Sequence, residues 1–158
     1  MKNEPRLEGD EDELIASFSK ISSEEQELLY KAPVLLSLLA SISDNHLNPD
    51  QKAEAVKLSH LKTFTARPEL INYYKTVEKR FAVNFELLEK QFYPFDPVQC
   101  IALKKEINRL YLLLRKMDNR ISILLLHSLN GYAAHVKKSG VGILDDFIFP
   151  LPIKGLNS

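Results

Sequence analysis

The chain has no tryptophan and only one cysteine, Cys100, among its 158 residues. A single thiol excludes an intrachain disulfide and any thiolate metal cluster built from one chain, so a reducing cytoplasm is the expected compartment. Glycine is scarce at 5 residues, and none of it forms a phosphate-cradling loop. GxSxG, HExxH and paired His/Cys spacings are also missing, and Cys100 falls on an apolar stripe where a thiol is expected to be buried and inert. The expectation is therefore no enzyme activity and no cofactor. The longest apolar runs, Val34 to Ile42 and Ile121 to Leu126, fall short of the ~18–20 residues that a membrane span needs. A secretory leader is not expected either. The opening "MKNEPRLEGDEDE" sets Lys2 and Arg6 against Glu4, Glu8, Asp10, Glu11, Asp12 and Glu13, whereas a leader is basic and then apolar.

What is present is ordinary globular material, 45% hydrophobic and 27% charged, enough for one domain with a real core. The formal charge is zero but unevenly spread, because the acids of the opening stretch leave the remainder mildly basic. Residues 1–20 are expected to be an acidic, disordered tail, and residues 21–158 a single all-helical domain. The tail is either simply solvated or a shield over a basic face.

Every long segment carries helical period and none alternates. Ser23 or a neighbour can cap a first helix reaching about Ser43, with Glu24, Glu25 and Glu27 in its opening turns, where acids suit the helix dipole. Pro33 predicts a kink or break near Tyr30, since it removes the hydrogen bond to Leu29. The "PVLLSLLASI" run is apolar all round and belongs in the core. Asn48-Pro49-Asp50-Gln51 is a strong start signal for a helix over about 49–65. Pro68-Glu69 opens the next, with Leu70, Tyr74, Val77, Phe81, Phe85, Leu88 and Phe92 at three- and four-residue steps, as one rod or two broken near Ala82. Asp96-Pro97 caps a fourth, striped by Cys100, Leu103, Ile107, Leu110, Leu114 and Met117. Asp118 or Asn119 opens a fifth that ends before Ser139-Gly140. Its "ISILLLHSL" half is apolar on all sides. Such helices, joined by short loops, predict an all-α fold, a compact antiparallel bundle of five to six helices.

The richest set of oxygen ligands is "SDNHLNPDQK". As an EF-hand begun at Asp44 it fails, with Pro49 where glycine is required and Ala55 where a bidentate acid is required. Asp44, His46, Asn48 and Asp50 remain the candidate metal ligands, but the helix–turn–helix reading accounts for the same residues better. On it, Asn45 turns the backbone, Leu47 plugs the core and Asn48 caps. His127 and His135 lie two turns apart, ~12 Å along the axis, too far to share a metal, and Gly131 between them leaves room for another helix. Lys104, Lys105, Arg109, Arg115, Lys116 and Arg120 form a candidate basic face for nucleic acid or another anionic partner. The neutral pI does not favour nucleic acid, and Tyr73, Tyr74 and Phe81 sit at packing rather than base-stacking positions.

The run "LLYKAPVLLSLLASISDNHLNPDQKAE" resembles the TerB-like family of tellurite-resistance-related helical proteins. Its pattern is an apolar helix, an Asp-Gly turn, an aliphatic residue, often an acid, and a Glu entering the next helix. "LLLHSLNGYAAHVKKSG" and "FPLPI" are similar to the C-terminal half of uncharacterised relatives. The resemblance covers roughly residues 24–153 and implies an all-helical cytoplasmic domain. For the tellurite-resistance members it also implies a role in binding divalent metal and in stress-response complexes at the membrane. Asp44 matches the acid and Leu47 the aliphatic, while Asn45 stands for Gly, Asn48 for the second acid and Gln51 for Glu. A divalent cation would find one of three carboxylates. The leading expectation is a non-catalytic helical interaction domain that self-associates or docks another protein, with "FIFPLPI" covering its own groove or a neighbour's. The alternatives are a metal-responsive stress protein using the 44–50 turn, and anionic-partner binding through 104–120.

Overall fold

The computed structural model describes residues 13–40 and 49–138, apart from the side chains of 40, 49–52 and 136–138. The elements are α1 over residues 13–18, α2 (Ser23–Ala40), α3 (Pro49–Thr65), α4 (Pro68–Phe92), α5 (Pro97–Met117) and α6 (Arg120–Lys138). Short connections reverse the chain each time, giving an all-helical antiparallel bundle with no strand among the described residues. One end carries α1, the start of α2, the α3–α4 corner and the α5–α6 corner. The other carries the end of α2, the start of α3, the α4–α5 corner and the end of α6.

Local chemistry sets most boundaries. α2 opens with a capping box one residue before Ser23. The Glu25 N–H donates to Ser22 Oγ at 3.0 Å, and the Ser22 N–H donates to Glu25 Oε1 at 2.9 Å. That backbone donor also holds the Glu25 carboxyl below its ordinary range. The Asp96 side chain accepts from the Gln99 N–H at 2.8 Å ahead of Pro97. Asp118 closes α5 in the left-handed region at φ 46°, a conformation a short polar side chain tolerates. Asn119 and Ser122 then exchange reciprocal bonds that open α6. α4 is one continuous rod through Ala82.

Two expectations need correcting. The packed body begins before residue 20, because residues 13–18 are helical and bury Leu14 and Phe18 in the core. Nor does Pro33 break α2, which runs unbroken from Ser23 to Ala40. Pro33 frees the Leu29 carbonyl, and the Tyr73 hydroxyl of α4 donates to that oxygen at 2.6 Å. A buried carbonyl left bare would cost ~1–3 kcal/mol, so the long-range bond offsets what proline removes.

α2 is the axis of the bundle. Leu29, Ala32 and Val34 to Leu39 are all buried, and α3, α4, α5 and α6 all pack on it. Around it lie four fully buried tyrosines, each with a partner for its hydroxyl. Besides Tyr73, the Tyr74 hydroxyl meets Ser128 at 2.6 Å, Tyr111 donates to Asn130 at 3.2 Å, and Tyr132 donates to the Ala55 carbonyl at 3.1 Å. Burial pushes Tyr74 up to about 12 and raises the other three well above the ordinary phenol value of 10.0. Tyr73, Tyr74 and Phe81 therefore pack in the core, as their spacing indicates. In α6, Ile121, Leu125, Leu126 and Leu129 are buried while Ile123 and His127 face solvent, so its first half is one-sided.

Candidate functional site

Most of the metal candidate set lies outside the described residues. Asp44, His46 and Asn48 fall in the α2–α3 connection, with Asn45 and Leu47. Asp50 stands in the first turn of α3 with its side chain undescribed. Among the described residues no three His, Cys, Asp or Glu side chains converge on one point. His127 is exposed on α6. His135 reaches across to α3, its Nε2 2.8 Å from Glu54 Oε2, and this hydrogen bond holds the Glu54 carboxyl below its ordinary range. His60 pairs in the same way with Glu78 of α4. Each pair ties α3 to a neighbouring helix on the molecular surface. Among the described residues no helix packs on Gly131, since a Cβ there would meet nothing within 4 Å.

The six bases of 104–120 divide by partner. Arg120, at the first position of α6, belongs to a structural network. It donates to Glu13 at 2.6 Å and to Glu69, which is buried at the start of α4 and also accepts from Arg67 at 3.4 Å. Burial pushes the Glu69 carboxyl up, but its own backbone N–H, Arg67 and Arg120 outweigh this and hold it below its ordinary 4.5. The network joins α1, α4 and α6 at one end of the bundle, and Asn119 adds a bond to Ser17 at 2.9 Å. Arg109 pairs within α5 to Glu106 at 2.9 Å, and Lys116 reaches Glu25 of α2 at 3.4 Å. Lys104 is half-buried, and Lys105 and Arg115 are exposed. None of these three has an ion-pair partner among the described residues. Cys100 is only half-buried, its Sγ donating to the Phe95 carbonyl at 3.4 Å, and burial raises its thiol.

A surface the sequence did not single out lies between α3 and α4. An open groove of about 380 Å³ is walled by Val56 of α3 and Phe81, Val83 and Phe85 of α4, with Glu86 and Glu89 on its rim. Val83 is 60% exposed, and Leu87 one turn on is also exposed. The apolar exposure continues along α3 through Leu61 to Phe64, which is 70% exposed with its ring edge-on to His60. Scattered apolar residues are ordinary on a surface, but a contiguous set walled into a groove is the usual mark of a binding surface. A signal for it was present: Val83 and Leu87 sit four apart on the otherwise polar side of the α4 stripe.

No family model matches this chain, and no curated protein or solved structure matches it. Among the described residues, no helix is long and apolar enough to cross a membrane.

Proposed function

We propose that this chain is a non-catalytic helical interaction domain, and that its α3–α4 groove docks an apolar segment of another chain that carries a base beside its apolar residues. The groove itself is the observation that carries this reading. Its walls are hydrocarbon and its rim is Glu86 and Glu89, so an apolar segment followed by Lys or Arg is the complementary ligand. The TerB-like resemblance supports the scaffold reading, and the bundle is the kind of fold such a family would supply.

Residues 147–154, "FIFPLPIK", have this chemistry and serve as the probe. A labelled peptide of that sequence is titrated into the chain truncated after Asp146, by fluorescence anisotropy. Saturable binding, abolished by Val83→Asp in the groove wall, is expected. No binding, or equal binding to the variant, overturns the groove. The full chain is then titrated and its mass measured. A dimer, or a monomer that still accepts the peptide, supports docking between chains. A monomer that excludes the peptide means the strip closes its own groove, and the interaction reading fails.

A further inference from the structure

The outward face of α5 is used by neither the core nor the groove. Along it, at helical spacing, run Val98, 74% exposed, Ile101 and Leu112, 57% exposed, flanked by Lys105, Arg109, Arg115 and Lys116. α5 contains a single acid, Glu106. Where this face meets α2, a shallow depression of about 210 Å³ is formed by Leu28, Leu112 and Leu113, with Arg109 and Lys116 beside it and Glu25 at its α2 edge. The surface is thus cationic, with one apolar seat.

A matching segment lies in the same chain. Residues 1–12 carry Glu4, Glu8, Asp10, Glu11 and Asp12 against Lys2 and Arg6, with Leu7 among them. Its point of attachment is fixed by observed contacts. Leu14 is buried, and Glu13 accepts from Arg120 at 2.6 Å, just past the end of α5 that carries Arg115 and Lys116. Leu7 lies six positions before Glu13, and those six steps reach up to ~20 Å when extended. Leu112 lies one turn before Lys116, ~6 Å along the axis. The reach is ample, and the Glu13–Arg120 pair already begins the required alternation of acid on base.

We propose that residues 1–12 lie along the outer face of α5, Leu7 seated against Leu112 and the acids set among Lys105, Arg109, Arg115 and Lys116. The chain thereby covers its own anion-accepting surface. This goes beyond the groove reading and stands independently of it, since it concerns a different face. The cover is held by exposed charges, which salt screens, so it lifts as ionic strength rises or when a competing acidic segment arrives.

Zero-length carbodiimide cross-linking of the full chain, read by mass spectrometry, tests the proposal. At low salt, the acids of 1–12 are expected to couple to Lys105 and Lys116 in preference to the exposed Lys57, Lys75, Lys79 and Lys90. The yield should fall several-fold in high salt. Leu7→Ala leaves the charge unchanged and is expected to lower the Lys116 cross-link several-fold, which a purely electrostatic tail would not show. Equal coupling to lysines elsewhere overturns the proposal, as does an unchanged Leu7→Ala yield. Mixing isotopically light and heavy chains identifies the source of the acids, and cross-links that join light to heavy overturn the intramolecular cover.

Discussion

α2 and α3 are neighbours in sequence and in space, yet they solve opposite problems. α2 is buried continuously from Ala32 to Leu39, and even its proline is absorbed by a hydroxyl from another helix. α3 buries Ala55, Leu58 and Ser59 but leaves Val56, Leu61 and Phe64 in solvent. Among the described residues, two surface His–carboxylate pairs attach its outer side. A helix surrounded by protein needs apolar residues on every side. A rim helix needs them on one side only, so any others are free for a partner. The contrast teaches that buried apolar surface is concentrated in α2 and exposed apolar surface in α3.

The sharpest way to break this contrast is a truncation in each helix. Leu36→Ala in α2 is expected to cost about 3 kcal/mol, from lost burial plus the cavity left behind, whereas Leu61→Ala in α3 should stay within about 0.5 kcal/mol. Urea unfolding followed by circular dichroism measures both, and similar costs would erase the distinction. Next in size is the proline repair. Tyr73→Phe is expected to cost about 2 kcal/mol by leaving the Leu29 carbonyl unpaired. In a Pro33→Ala background the restored N–H can serve that carbonyl, so the cost should shrink, and a double-mutant cycle reads the difference. Additive effects would show that Tyr73 does not compensate for Pro33.

A smaller effect concerns the end network where α1, α4 and α6 meet. Glu69 titrates below its ordinary value in the folded chain, so its stabilisation is present above pH 4.5 and is lost as pH falls through the lower, folded value. Glu69→Gln should therefore be less stable than the parent near neutrality, and the gap should narrow in acid. A gap independent of pH would mean the carboxylate charge contributes nothing. The smallest expected effect is Val83→Asp on the groove wall, a stability change within about 0.5 kcal/mol combined with loss of probe binding. Amide exchange completes the comparison, with α2 opening only in global unfolding and the exposed side of α3 at lower cost.

How much of this was legible beforehand follows from range. The starts at Pro49, Pro68 and Pro97 are written in three or four consecutive residues, because capping and proline chemistry act within one turn. The fate of Pro33 was not legible, because its remedy is Tyr73, forty-four positions after the Leu29 carbonyl that it serves. Arg120 looked like one more base on a basic segment, and only the fold brings it to Glu13 and Glu69. The groove shares that limit. Val83 and Leu87 were visible as apolar residues off the stripe, but Val56 joins them only once α3 lies along α4. Gly131 reads as a close-approach site from its lack of a side chain, and among the described residues nothing packs against it.

The tyrosine-lined interior gives the protein a built-in optical gauge. With no indole to dominate its emission, the phenols alone report on the fold, and the four deepest should resist alkaline ionisation that a free phenol undergoes near pH 10. Their neutral form is favoured inside, so raising pH through that value withdraws stability until the bundle opens and the resistant rings ionise together. A single ultraviolet titration would then show a gradual step from the accessible rings followed by an abrupt one marking collapse of the core.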